Sequence, residues 1–256
     1  MYLKNYISRG ENRLWELIKE KGIIDSELAA EIFPDMPASN RNRILYSLHR
    51  KGYLKRARRG LYYNPLNLRG FHELAIRIRE CYIGFASALR HHNLIEYEDF
   101  TISAATRNFR KKIPLEGTKY EIRFIPLGEF YTGFEKRDNI YVSTLEKTFF
   151  DCFLKPNYAG YSILTKALYN ANLDWKKFID FYRLTDNNSL CQRTGYILEM
   201  MVDNTGLNIP EFAFDFLQER VKNPVKLMSY KGKSVFNSRW MIQDNIGKDS
   251  ILSWWI

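Results

Sequence analysis

The stretch from Ser39 to Tyr63 constrains this 256-residue chain more than any other. It joins an amphipathic segment directly to a basic pattern with a glycine at its turn. Between Arg41 and Arg59 stand eight cations (Arg41, Arg43, Arg50, Lys51, Lys55, Arg56, Arg58 and Arg59) and no Asp or Glu, where the whole-chain frequency would place about three cations. Charge so concentrated is a local property of the segment. It attracts phosphate, whose charge density dominates the affinity of proteins for duplexes. A solvated surface face is the alternative that charge alone leaves open.

Periodicity adds direction. On a helix beginning near Ser39, the 3.6-residue repeat places Ile44, Leu45 and Leu48 on one stripe. Ser39, Asn40, Arg43, Tyr46, Ser47 and Arg50 fall on the opposite side. Such a helix packs by one face and offers the other. In a major groove Asn pairs with adenine and Arg with guanine, while Ser and Tyr take phosphates. Lys51 and Gly52 supply a cation for the negative helix end and a C-terminal glycine.

Upstream, Leu14, Leu17 and Ile18 mark one face of a helix over roughly 11–21, closed by Gly22. Ile24, Leu28, Ile32 and Phe33 mark a second, begun at Asp25 or Ser26, whose side chains can cap free amides. Pro34 and Pro37 break the chain before the third. Residues 53–63 read as two strands around an Arg58-Arg59-Gly60 turn with a cationic tip. Three short helices, the last basic, followed by a basic hairpin outline a winged helix-turn-helix. A wing there reaches the DNA backbone or minor groove, where Arg is favoured. The expected contacts to double-stranded DNA are the eight cations with Ser39, Asn40, Tyr46 and Ser47. Use of the same module for protein contacts is the competing reading.

Residues 1–63 carry +6 of the net +10 charge, so the basic character sits in the first quarter of the chain. The expected class is α+β: a winged helix-turn-helix over 1–68 and a mixed α/β C-terminal domain over 69–256, joined at the turn-rich 64–70. In the second domain, helices are predicted near 71–80 and 84–93, strands over 100–104, 120–125 and 140–142, and a basic loop after the first strand. Helices follow from Thr144 to about Lys222, interrupted at 156–160 and 186–188. Residues 225–229 and 234–242 straddle Lys231-Gly232 like a hairpin. No stretch approaches the roughly 20 apolar residues of a membrane helix, and no secretory segment opens the chain, so a cytoplasmic protein is expected. Cys81, Cys152 and Cys191 lack any paired spacing and read as buried thiols.

The chain resembles the AbiEi family of antitoxin-type transcriptional regulators over nearly its whole length. The resemblance rests on Arg59-Gly60-Leu61-Tyr62, the segment Ser87 to Leu94, the strand Phe100 to Ser103 and, above all, Ile140 to Asp151 followed by Pro156 and Gly160. Gly232 and Arg239 to Ile242 fit the closing pattern. It implies a repressor that binds inverted repeats in its own promoter. It also implies a C-terminal domain opposing a nucleotidyltransferase-like toxin, in many such type IV pairs without a stable complex. A stand-alone regulator whose C-terminal domain senses a ligand or dimerises remains the alternative.

Catalysis finds little support. Glu146 and Asp151 lie five apart, about 140° around a helix, so their carboxylates diverge, and Glu146 suits a capping or salt-bridging role. His91 and His92 are adjacent and cannot share one ion on a helix. No Glu-x-Lys triplet, phosphate-loop motif or Gly-x-Ser-x-Gly elbow occurs. No enzyme, metal or cofactor is therefore expected. Arg107, Arg110, Lys111 and Lys112 form a second basic cluster beside Phe109, readable as a solvent-facing loop or a nucleic-acid contact. The apolar tail, Ile251 to Ile256, should be docked, within the subunit or on a second copy.

Overall fold

A computed structural model describes residues 6–96, 100–230 and 233–255 of the chain. Helix α1 (Arg9–Ile18) starts at a capping box: the Ser8 hydroxyl accepts from the Glu11 amide at 3.3 Å, and the Glu11 carboxylate accepts from the Ser8 amide. This reciprocal pair satisfies two amides that no helical carbonyl reaches, and it starts the helix earlier than the predicted Glu11. A short strand, β1 (Ile23–Asp25), precedes α2 (Ser26–Ile32), and Asp25 caps that helix by accepting from the Leu28 amide at 2.8 Å. Helix α3 (Ala38–Arg50) follows Pro37.

Strands β2 (Lys55–Arg58) and β3 (Leu61–Tyr63) then form a hairpin turned at Gly60, whose φ of +74° lies in the left-handed region that glycine enters without steric cost. Strand β3 pairs antiparallel with both β1 and β2, giving the order β1-β3-β2. Leu14, Ile18, Ile24, Leu45, Leu48 and Leu54 are buried in one core beneath these elements. Each such side chain contributes about 1.5–3 kcal/mol relative to exposure.

The chain continues through α4 (Phe71–Ile78), β4 (Tyr82–Ile83), α5 (Phe85–His91), β5 (Thr101–Thr106), β6 (Lys111–Pro114), β7 (Glu121–Pro126), β8 (Phe134–Arg137) and β9 (Ile140–Ser143). Strand order in this sheet is β6-β7-β5-β4-β9-β8. Strands β5 and β7 run parallel over their full length, Thr101 opposite Glu121 and Thr106 opposite Pro126. The basic segment expected as a loop is in part the edge strand β6, antiparallel to β7 with Ile113 opposite Ile122. Ladder pairing with a long neighbour outweighs the poor strand preference of Lys and Pro.

Helices α6 (Leu145–Leu154), α7 (Tyr161–Asn170), α8 (Trp175–Arg183), α9 (Asn188–Thr205) and α10 (Glu211–Gln218) come next. Asp174 and Asn187 cap α8 and α9, and Gly206 closes α9 in the left-handed conformation. Helix α6 is buried over seven consecutive positions, from Lys147 to Phe153, and packs against α5, α7, α8 and α9. Strands β10 (Val225–Lys226), β11 (Val235–Asn237) and β12 (Ile242–Asp244) follow in the order β10-β12-β11.

The expected hairpin across Lys231-Gly232 is corrected here. Strand β10 runs parallel to β12, and the antiparallel hairpin joins β11 to β12 instead. Lys231 and Gly232 themselves lie outside the described residues. Helix α11 (Lys248–Ile251) docks on α7, with Ile251 and Leu252 buried and the Trp254 indole donating to Thr165 Oγ1 at 2.8 Å. Ile251 and Leu252 of the apolar tail are therefore covered within the subunit, Trp255 stays exposed, and Ile256 lies outside the described residues.

The architecture is α+β, with eleven α-helices and three sheets among the described residues. The chain forms two compact units. One comprises Met1–Tyr82, Phe100–Tyr131 and Lys136–Tyr141; the other comprises Ile83–Asp99, Thr132–Glu135 and Val142–Ile256. The first takes in more of the chain than 1–68, because residues around β6 and β7 pack on the segment after the hairpin. Tyr63 donates to the Glu116 carbonyl at 3.1 Å, and Phe71 stacks on Tyr120 at 3.8 Å between ring centroids.

Candidate nucleic-acid interface

Helix α3 presents one face to the core and leaves the other open. Leu45 and Leu48 are fully buried, and Ile44 is half-buried beside them. At 100° per residue, Ser39, Arg43, Tyr46 and Arg50 fall within an arc of about 60° on the far side. All four are exposed, Tyr46 to 47%. Among the described residues, the guanidinium groups of Arg43 and Arg50 carry no hydrogen bond or ion pair. Asn40 is exposed on the flank of this row.

Beside the row, α3 and the hairpin bound an open cleft of about 510 Å³, lined by Ser26, Asn42, Tyr46, Arg56, Arg59, Gly60 and Tyr62. Arg56 and Arg59 are exposed at the hairpin's outer end. Asn42 and Ser26 are absent from the sequence-predicted set. Asn42 was open to discovery, since it lies on the flank of the outward row towards Tyr46, whereas nothing local to Ser26 marks it.

Six predicted residues make hydrogen bonds or ion pairs within the chain. Arg41 donates to the carbonyls of Phe33 (3.1 Å) and Met36, tying α3 to the end of α2. Ser47 donates to Glu11 Oε1, and Lys51 Nζ donates to both Glu11 oxygens at 2.9 and 2.7 Å. Lys55 pairs with Glu116 at 3.2 Å. Arg58 donates to the Arg77 carbonyl at 2.9 Å, and Arg77 in turn pairs with Asp25 and Glu73. Among the described residues Arg43, Arg50 and Arg59 make no side-chain hydrogen bond or ion pair, whereas exposed Arg56 donates from Nε to the Arg58 carbonyl at 3.4 Å; Ser39, Asn40 and Tyr46 are exposed among them.

Glu11 is the acid that organises this inner layer. Burial works to raise its pKa, but hydrogen bonds from Lys51, Ser47 and Ser8 outweigh it and hold the carboxyl down to about 2, from an ordinary 4.5. It stays ionised and neutralises Lys51 beneath the exposed row.

The residues that invited an enzymatic reading make contacts within the fold. Glu146 accepts from the Asp174 amide at 3.1 Å, at the start of α8. Lys147 and Asp151 pair with each other, and both are fully buried. Half-buried His92 bonds the Ser143 carbonyl at 2.9 Å, and His91 is exposed. The three cysteines are buried free thiols, and burial pushes the Cys81 thiol up to about 12. Among the described residues, no three His, Cys, Asp or Glu side chains are grouped as metal ligands, and no helix is long and apolar enough to cross a membrane.

No protein-family model matches the chain, and no curated protein matches it in sequence.

Proposed function

We propose that α1 to α3 with β1 to β3 act as a winged helix-turn-helix, and that the chain is a sequence-specific transcriptional repressor of double-stranded DNA. In this reading α3 enters the major groove with Arg43, Tyr46 and Arg50, while Arg56 and Arg59 of the wing rest on the backbone. One observation carries it: an exposed row of unpaired arginines on α3 stands beside a cationic hairpin, with no acid between Arg41 and Arg59. Glu11, the acid bonded to the inner flank of α3, accepts from Lys51 and Ser47.

The resemblance to AbiEi regulators read from the sequence extends the proposal. The repressor would bind inverted repeats in its own promoter and act as the antitoxin of a nucleotidyltransferase-like toxin. A stand-alone regulator that senses a ligand is the second reading, favoured by a separate cleft lined by Arg79 and Arg107.

Fluorescence anisotropy with duplexes carrying the chain's own promoter tests the first claim. If about six phosphates are neutralised, the affinity falls with salt at a log-log slope near −5, and a salt-independent interaction rejects it. Co-expression with a neighbouring nucleotidyltransferase separates the two readings. Restored growth supports the antitoxin, and unrelieved toxicity with intact duplex binding leaves the stand-alone regulator.

A further inference from the structure

The first unit holds a second cationic site whose lining residues lie outside α3 and the hairpin. Loops that leave the C-terminal ends of the parallel strands β5 and β7 bound an open cleft of about 310 Å³, lined by Arg79, Glu80, Thr106, Arg107, Asn108, Phe109 and Tyr131. Crevices beyond the carboxyl ends of parallel strands are where open α/β sheets hold their ligands, and this volume suits one small molecule.

The loops are internally braced. Thr106 Oγ1 donates to the Phe109 carbonyl at 2.6 Å and accepts from the Phe109 amide at 3.1 Å. The amides of Leu127 and Gly128 donate to the carbonyls of Thr106 and Arg107 at 2.8 and 2.7 Å.

Two arginines at this cleft are positioned by rings and by nothing else among the described residues. The Arg79 guanidinium lies 4.1 Å from the Phe109 ring centroid, and that of Arg107 lies 5.6 Å from the centroid of Tyr131. Neither makes a hydrogen bond or ion pair among the described residues. Stacking on a ring uses none of a guanidinium's five N–H donors, so both forks remain open to an anion. Glu80 is the single acid among the lining residues, and exposed Arg110 follows Phe109 in the chain.

We propose that this cleft is a binding site for a phosphomonoester, held between the forked donors of Arg79 and Arg107 with Asn108 as a further polar contact. Bidentate guanidinium contacts suit the geometry of a terminal phosphoryl group. None of its lining residues belongs to α3 or the hairpin.

Isothermal titration of the full chain, without DNA and at fixed ionic strength in chloride, tests it with inorganic phosphate, ribose 5-phosphate and adenosine 5′-monophosphate. Saturable binding is expected. Equal affinities for the two esters assign recognition to the phosphoryl group alone, and tighter binding of the nucleotide adds a contact to its base. Arg79→Gln and Arg107→Gln, both at exposed positions, should each weaken binding at least about tenfold with an unchanged circular dichroism spectrum. Arg107→Lys keeps the charge but loses the fork, and should also weaken it. No saturation with any of the three probes by about 10 mM, or full affinity in Arg107→Lys, overturns the proposal. Duplex affinity is read separately, so either claim can fail without the other.

Discussion

The Glu11 carboxylate receives two hydrogen bonds from Lys51 Nζ, at 2.7 and 2.9 Å, and so joins the first turn of α1 to the residue that closes α3. Because the folded carboxyl titrates near 2 against an ordinary 4.5, its contribution is complete above pH 4.5 and is lost as pH falls towards 2. Between pH 7 and pH 3 this group alone should remove about 2 kcal/mol of stability. Urea denaturation at both pH values should show a smaller acid loss in Glu11→Gln than in the parent. Identical acid losses would separate Glu11 from the acid response.

Gly195 sits inside α9 with the Trp240 ring pressed against it, so that a β-carbon built there collides with the six-membered ring. A mid-helix glycine normally costs about 1 kcal/mol against alanine. Here Gly195→Ala should instead destabilise by about 1–3 kcal/mol through overpacking. Trp240 cannot step aside easily. Its indole donates to Glu199 at 2.9 Å, its amide donates to Asn237 at 2.9 Å and its carbonyl accepts from Gln192 at 3.0 Å. Thermal denaturation checks this, and adding Trp240→Leu should make the pair less damaging than the sum of its parts.

Much of the first unit was legible in sequence because its signals are local. Capping at Asp25, the proline break before α3 and the glycine after Arg59 each act within four residues. Strand β1 escaped notice because its three residues run straight into a helix cap, and only pairing with β3 makes them a strand. Likewise β6 looks like a basic loop until β7 is laid beside it. The outward row on α3 followed from the helical period. The inward turn of Arg41, Ser47 and Lys51 did not, since their partners stand 5 to 40 residues away and the period says nothing about what faces a helix flank.

That distinction makes the arginines separable by experiment. Arg43→Ala should weaken specific duplex binding by about 1–3 kcal/mol and relax base preference while leaving the melting temperature unchanged. Arg59→Ala should weaken all sequences alike and shallow the salt slope by about one. Arg41→Ala removes donors to the Phe33 and Met36 carbonyls and should lower the melting temperature. Anisotropy and thermal melts on the three variants give the pattern. A uniform loss of affinity without loss of stability in Arg41→Ala would return that residue to the set proposed to face DNA.

Lys147 and Asp151 stand one helical turn apart on α6, paired and wholly buried, with the ammonium also 5.3 Å from the Phe150 ring centroid and 5.9 Å from that of Phe181. Burial pushes the Lys147 pKa below its ordinary value, and Asp151 opposes that shift. Taking two charges out of water is costly, so a buried pair adds little net stability although breaking it is severe. Lys147→Met should destabilise by about 3–5 kcal/mol, because the Asp151 carboxylate keeps its burial and loses its ammonium. That loss should shrink at acid pH, where the stranded carboxyl takes up a proton. Lys147→Met with Asp151→Leu should recover most of the deficit in urea denaturation. The double variant should also bind duplex as the parent does, since the pair lies in the other compact unit from α3. Were its loss equal to the sum of the two single losses, the side chains would not be acting as a pair; were it to retain stability yet lose a chemical activity, the structural assignment of this helix would give way to a catalytic one.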